Sequence, residues 1–128
     1  MNILFIEDNP GDQALYNYFL QESSLPGIKV VNANSLESAL KKLLAKEIDI
    51  IFLDLNLPDS DGLGSYRKIA EKYPHIPVVI LTGLDDTQVA LTALQNGAQD
   101  YLVKGEFNAE NLKNTIVYSI ERHKAKVR

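Results

Sequence analysis

The sequence predicts one α/β domain in which helices cover both faces of an open, doubly wound parallel sheet. Short apolar runs alternate five times with segments of helical apolar spacing along the 128 residues. Such alternation is typical of strands and helices around a parallel sheet. The third and fourth runs are apolar at nearly every position, as expected for central strands covered on both faces. Ligands of such domains bind at the carboxyl ends of the strands.

The predicted elements follow in chain order. The predicted strands are residues 2–7, 28–33, 49–54, 77–82 and 100–103, and the predicted helices are 11–23, 35–46, 63–73, 86–96 and 109–125. In the second helix, leucine and alanine repeat at the spacing that places one apolar stripe against a sheet. Asn34 and Glu37 could form a capping box at its start. Gly97 lies where a residue of left-handed conformation would end the fourth helix.

Composition predicts a single domain over residues 1–128, located in the cytoplasm. The hydrophobic fraction of 45% is enough for one core. No apolar stretch approaches the ~20 residues of a membrane span, and no basic segment of a signal peptide precedes the first strand. Cysteine is absent, which excludes disulfides and thiolate ligands, and the net charge of -4 argues against direct nucleic acid binding.

The last ten residues have two interpretations. Residues 119–128 are rich in basic side chains, which the helix dipole favours at a helix C-terminus. The same segment is a candidate helical connector or dimer arm. His75 and His123 are far from each other and from the acids described next, so we expect both to be surface imidazoles.

Acidic residues close two of the predicted strands. Glu7 and Asp8 follow the first apolar run, and Asp54 ends the third. Thr82 closes the fourth run, and Lys104 comes directly after the fifth. Because the carboxyl ends of parallel strands meet at one edge of the sheet, these side chains should converge. Clustered carboxylates resist joint ionisation unless a cation or a shared proton intervenes, so the pattern predicts a metal site.

The residue types suit magnesium and phosphoryl chemistry. Mg²⁺ is usually held by one or two carboxylates, with water and phosphate completing an octahedral shell. Asp8 and Asp54 suit direct ligands, Glu7 could act through water, and a carbonyl near Asn56 could contribute. An aspartate can also accept a phosphoryl group as an acyl phosphate, a transfer that needs positioning and charge neutralisation. Lys104 would supply positive charge beside the transferring oxygens.

Each of these residues also has an ordinary structural interpretation. The acidic pair could cap a helix, Asp54 could lie in a turn, and Lys104 could be a solvated charge. Their convergence on neighbouring strand ends favours the functional interpretation.

The chain resembles the receiver domain of bacterial two-component response regulators over residues 1 to about 125. The motifs that carry the resemblance stand in the family's order. They are Glu7-Asp8, Asp54 in the segment DLNLPDSDG, Thr82-Gly83, and residues 100–104 with the sequence DYLVK. The resemblance implies a flavodoxin-like sheet with strand order 2-1-3-4-5.

The resemblance also implies a role for each matching residue. Asp54 would be phosphorylated by a histidine kinase or a histidine phosphotransfer protein. Mg²⁺ would be held by Glu7, Asp8, Asp54 and the backbone carbonyl of Asn56. Lys104 would contact the phosphoryl group. Thr82 and Tyr101 would relay the change to the fourth helix, fifth strand and fifth helix, a face through which a downstream partner or a second copy could dock.

One position departs from the family, and two alternatives stay open. The family usually has proline after the lysine, often with a cis peptide bond, whereas this chain has Gly105, so a trans bond is expected. The first alternative is a magnesium-dependent aspartyl phosphatase of the haloacid dehalogenase kind. Asn56 counts against it, because those enzymes carry a second aspartate there. The second alternative is a receiver-like binding module that needs no phosphorylation; such a module would have lost an acid, the acceptor or the lysine.

Overall fold

The structure is a computed structural model that describes residues 1–127, with side chains through residue 125. Its strands are β1 Asn2–Ile6, β2 Lys29–Ala33, β3 Ile50–Asp54, β4 Val78–Thr82 and β5 Asp100–Val103. Its helices are α1 Pro10–Glu22, α2 Leu36–Ala45, α3 Gly62–Lys72, α4 Thr87–Gln95 and α5 Ala109–Val127, with a short 3-10 helix at Leu84–Asp86. The predicted elements are all present, and their ends agree within two residues.

The five strands form one parallel sheet in the order β2-β1-β3-β4-β5. This confirms the predicted fold class and strand order. Because neighbouring residues of a strand point to opposite faces, the sheet divides two hydrophobic cores. Leu4, Leu53 and Ile80 face α2, α3 and α4 on one side. Phe5 and Phe52 face α1 and α5 on the other.

The start of α2 differs from the prediction. Ser35, and not Asn34, is the N-cap, and its hydroxyl accepts the Ser38 N–H at 3.0 Å. Asp59 accepts the N–H groups of Leu36 and Glu37 at 2.8 and 3.0 Å. The capping box was wrong because a carboxylate from the distant loop after β3 supplies the acceptors that a helix N-terminus needs.

The end of α4 agrees with the prediction. Gly97 has φ +111°, and the Ala98 N–H returns to the Ala93 carbonyl at 3.0 Å. A residue with a side chain would be strained in this backbone conformation.

The C-terminal half of α5 packs on the domain. Ser119 and His123 are buried, and the His123 Nε2 lies 3.0 Å from the Pro74 carbonyl oxygen. His123 as a surface imidazole was therefore wrong, whereas His75 is exposed as expected. The connector in 119–128 stays a prediction: Arg128 lies outside the described residues, and the helix contacts the domain as far as His123. No helix within residues 1–127 is both long and apolar enough to cross a membrane.

Candidate functional site

The carboxyl ends of β1 and β3 bring the acidic residues together. The two strands are neighbours, with Ile6 opposite Leu53, so Glu7 and Asp54 extend from adjacent positions at one sheet edge. The Glu7 N–H donates to the Ala33 carbonyl at 2.9 Å and continues the pairing of β1 with β2. This edge is where the strand order reverses, which is the usual ligand position of the fold.

Glu7, Asp8 and Asp54 form a carboxylate cluster. Each offers an oxygen atom, and these atoms lie within 4.8 Å of one another. Glu7 and Asp54 are buried, with 0% and 1% exposure, whereas Asp8 is exposed. The cluster therefore combines two buried carboxylates with one that is exposed to solvent. Such a set of oxygen atoms suits a divalent cation. The three predicted carboxylate ligands therefore lie together, and the Asn56 carbonyl as a fourth ligand stays a prediction.

Lys104 is the cation of the cluster. Its Nζ lies 2.8 Å from Glu7 Oε1 and 2.9 Å from Asp54 Oδ2. Asp12, in the first turn of α1, lies 3.8 Å from the same nitrogen. The Lys104 N–H donates to the Thr82 carbonyl at 2.8 Å, which fixes the backbone beside the end of β4.

Asn56 connects Asp54 to the loop after β4. Its N–H donates to Asp54 Oδ1 at 2.9 Å. Its side-chain amide donates to Asp86 Oδ2 at 3.3 Å. Asp54 therefore accepts hydrogen bonds at both carboxylate oxygens, from Asn56 and from Lys104.

The pKa values of the two buried carboxyl groups, Glu7 and Asp54, are shifted in opposite directions. Burial raises the pKa of Glu7 to about 8, and its hydrogen bond with Asp54 adds to this rise. Burial alone would raise the pKa of Asp54, but hydrogen bonds from Glu7, Asn56 and Lys104 outweigh it and hold that pKa below its usual range. At neutral pH, Asp54 is thus ionised and Glu7 retains a proton, the shared-proton arrangement expected of close carboxyls.

Thr82 and Tyr101 lie on neighbouring strands. Thr82 is fully buried, and its hydroxyl donates to the Gly83 carbonyl at 3.2 Å. Tyr101 is half-buried and packs against the core beneath α2, α3 and α4. On adjacent β4 and β5, Ile80 pairs with Tyr101 and Thr82 with Val103.

The segment after β5 forms a tight turn in place of the family's Lys-Pro. The Glu106 N–H donates to the Val103 carbonyl at 3.0 Å, and Gly105 has φ +83°. These features define a type II turn with Lys104 and Gly105 at its centre. The Lys104–Gly105 bond is trans, as predicted, since no peptide bond of the described residues is cis.

Three residues at the site were missed by the sequence interpretation. Asp12 approaches Lys104, Asp86 accepts from Asn56, and the Tyr16 hydroxyl lies 3.4 Å from Glu7 Oε1. Asp12 and Tyr16 are four positions apart in α1 and so share one helix face. That spacing was an available signal. Asp86 offered none, because its partner is 30 positions away.

Comparison with known proteins agrees with this geometry. The sequence model of the response regulator receiver domain family matches residues 3–117. The chain therefore belongs to this family, as its motifs implied, and is a receiver domain of the two-component response regulator class.

The chain is similar to a probable response regulator, to a transcriptional regulatory protein and to a receiver domain protein of known structure. The chain is 33% identical over 114 residues to the probable C4-dicarboxylate response regulator DctR of Halalkalibacterium halodurans, covering 88% of this chain and 48% of that protein. It is 31% identical over 124 residues to the KDP operon transcriptional regulatory protein KdpE of Escherichia coli, covering 97% and 53%. The crystal structure of a receiver domain protein from Clostridium thermocellum superposes with a TM-score of 0.81 at 31% identity, covering 97% of each chain. The chain thus spans about half the length of these two regulators.

Proposed function

We propose that this receiver domain is a phosphorylation-activated switch whose acceptor is Asp54. The observation that carries the proposal is the position of Asp54: it is 1% exposed, and its Oδ2 lies 2.9 Å from Lys104 Nζ. A buried, ionised aspartate beside a cation is a suitable acceptor for a phosphoryl group, because the positive charge stabilises the transferring oxygens. The donor would be a sensor histidine kinase or a histidine phosphotransfer protein, in the cytoplasm.

The transfer needs little from the protein besides position and charge. The phosphorus–nitrogen bond of the donor breaks, and a phosphorus–oxygen bond forms with the Asp54 carboxylate. The imidazole leaves with the bonding electrons and takes up a proton. The Lys104 ammonium group, which now contacts the Asp54 carboxylate, would then contact the negatively charged phosphoryl oxygens. The Asn56 N–H, 2.9 Å from Asp54 Oδ1, holds the acceptor carboxylate in a fixed orientation.

The carboxylate cluster fits a magnesium ion. Glu7, Asp8 and Asp54 would hold it, with the backbone carbonyl of Asn56, and an all-oxygen donor set is the one that Mg²⁺ prefers. The bound ion would supply positive charge to the phosphoryl oxygens.

The proposed switch begins at Thr82. Its hydroxyl now donates to Gly83, so a new phosphoryl group would draw it away from that carbonyl. The vacated space beside β4 would be filled by the half-buried ring of Tyr101, which biases the packing of α4, β5 and α5. This face exposes Leu91 and Tyr118 by 42% and 55%. It is the proposed docking surface for a downstream partner or for a second copy in a homodimer.

Family membership favours this switch over both alternatives. Receiver domains are signalling domains, and the chain has asparagine at position 56, where the phosphatase mechanism needs an acid. A receiver-like module without phosphorylation would lack an acid, the acceptor or the lysine, whereas in this chain the three acids and Lys104 are present and lie together.

The test uses the small phosphodonor acetyl phosphate with Mg²⁺. Wild type should gain one phosphoryl group by intact-mass spectrometry, and Asp54→Asn should gain none. Asp61→Asn is the matched control. Asp61 lies outside the cluster, and its side chain accepts the Gly64 N–H at the start of α3. Full labelling of Asp54→Asn would contradict the acceptor assignment. Sustained turnover of phosphomonoesters by wild type would instead support the phosphatase.

A further inference from the structure

Tyr16 places a buried hydroxyl beside the acidic cluster. The residue is 2% exposed, although it lies in the middle of a surface helix. Its hydroxyl oxygen is 3.4 Å from Glu7 Oε1. Buried tyrosine hydroxyl groups normally find a hydrogen-bond partner, and Glu7 supplies it here.

The Tyr16 ring is held by aromatic neighbours on two sides. It stacks on Phe5 of β1 with a centroid distance of 5.3 Å, and on Phe107 with a distance of 5.7 Å. Phe107 follows the turn that carries Lys104. The hydroxyl is therefore fixed relative to β1, which precedes Glu7, and to the segment after β5 that carries Lys104, and the ring has little freedom to turn away.

Glu7 receives three donors, and they differ in what they can do after phosphorylation. Oε1 accepts from Lys104 and Tyr16, and the Asn9 N–H donates to Oε2 at 3.3 Å. Lys104 is shared with Asp54, and in the proposed function it moves to the phosphoryl oxygens. Among the described residues the Tyr16 hydroxyl donates only to Glu7, so in the proposed cycle it would stay on this carboxylate.

We propose that Tyr16 is a positioning residue that orients the Glu7 carboxylate for the divalent cation. The inference rests on the proposed function and extends it to a residue outside the ligand set. Groups that hydrogen-bond to metal ligands fix ligand orientation, and their removal typically weakens metal binding roughly 10- to 100-fold. Since the Tyr16 contact is long and neutral, we expect a loss at the lower end, about tenfold.

The decisive variant is Tyr16→Phe, which removes the hydroxyl and keeps the stacked ring. Tyr18→Phe is the matched control, because Tyr18 is 55% exposed on the same helix. Calorimetric titration with MgCl₂ should show about tenfold weaker binding for Tyr16→Phe and no change for Tyr18→Phe. Thermal unfolding without Mg²⁺ shows whether either variant loses its fold.

A second measurement separates positioning from a general structural effect. In metal-free protein labelled at glutamate side chains, the carboxyl ¹³C resonance of Glu7 should move in Tyr16→Phe and stay in Tyr18→Phe. Weaker Mg²⁺ binding without a moved Glu7 resonance overturns the inference, as does a moved resonance with unchanged binding. If wild type binds no Mg²⁺, the proposed function itself fails. If wild type binds it and Tyr16→Phe binds equally well, only the role of Tyr16 is wrong.

Discussion

At the scale of single residues, charge balance decides the state of the site. Glu7 and Asp54 are buried side by side, and one ammonium group cannot neutralise two carboxylates. A proton on Glu7 restores the balance. The metal-free site therefore holds a proton and a lysine near the position proposed for the cation, and binding of the cation would compete with both.

Removing the ammonium group should expose this balance. We expect Lys104→Met to lower the free energy of unfolding of the metal-free protein by about 2 kcal/mol, because Asp54 stays buried without its cation. Loss of one partner from a fully buried pair costs roughly 3 to 5 kcal/mol, and here the Lys104 side chain is 24% exposed. Urea denaturation measures the change. Lys113→Met, at an exposed position of α5, is the control.

Mg²⁺ should stabilise the Lys104→Met variant more than it stabilises wild type, since the ion no longer displaces the lysine. If metal-free Lys104→Met and metal-free wild type instead had equal urea unfolding curves, Lys104 would not balance the charge of the buried acids.

The raised pKa of Glu7 predicts a pH dependence. Its ordinary value is 4.5, and in the folded protein it is about 8. The folded state therefore holds the proton more tightly than the unfolded chain, and this stabilisation is lost as pH rises from about 5 to about 8. Asp54 acts in the opposite sense, but its lowered pKa confines the effect to pH below about 4.

Thermal unfolding of metal-free protein should thus occur at a lower temperature at pH 8 than at pH 6. Glu7→Gln should flatten this slope, because it keeps the shape of the side chain and removes the titration. A slope that survives in Glu7→Gln would assign the dependence to another group.

At the scale of elements, a turn replaces the proline of the family. Residues 103–106 close a type II turn, and its third position requires positive φ, which Gly105 supplies at +83°. Lys104 occupies the second position of this turn. The turn conformation therefore orients the side chain whose ammonium group contacts Glu7 and Asp54.

Gly105→Ala tests this element. We expect it to cost about 1 kcal/mol of stability, because a side chain disfavours positive φ, and to weaken binding of beryllofluoride with Mg²⁺. Gly27→Ala is a matched control: Gly27 also has positive φ, +68°, and a Cβ at either glycine meets no atom within 4 Å. It should lose similar stability and keep full binding. If both variants lost binding of beryllofluoride equally, the turn at Gly105 would have no specific role in the site.

Asp59 connects two further elements. Its carboxylate receives the Leu36 and Glu37 N–H groups at the start of α2, and these bonds hold its pKa below the usual range. The loop that follows Asp54 is thereby anchored to α2 as well as to the sheet.

At the scale of the whole molecule, the site and the proposed output face of α4, β5 and α5 meet at the carboxyl end of β4. Thr82 lies at the end of β4, next to β5 and upstream of α4. The residues of β3 and β4 are buried, and in a closely packed interior a local change is expected to cause repacking of neighbouring side chains.

Hydrogen exchange should locate this repacking. Beryllofluoride with Mg²⁺ should alter exchange in peptides from residues 84–103 and leave residues 36–45 of α2 unchanged. Thr82→Ala should bind the analogue yet lose the response at 84–103, and Thr82→Ser should keep it because it retains the hydroxyl. A full response in Thr82→Ala would contradict the role proposed for this hydroxyl.

Local patterns predicted the fold and most of the site. Glu7, Asp54 and Lys104 were identifiable because each directly follows or ends a strand, and the parallel sheet aligns those ends. His123 was misassigned because it is far along the chain from His75 and from the acids, whereas in the structure it is buried and its Nε2 lies 3.0 Å from the Pro74 carbonyl oxygen. The role of Asp59 as an acceptor at the start of α2 was missed because the residues that donate to it are 22 and 23 positions away along the chain.

The sequence by itself determined the five alternating elements, the acidic strand ends and the family motifs, since these depend on periodicity and on neighbours along the chain. Only the tertiary structure decided that Glu7 keeps a proton while Asp54 stays charged, and that Tyr16 turns its hydroxyl toward Glu7. Both depend on burial and on distances between side chains from different elements. Those quantities exist only after the sheet and helices have packed.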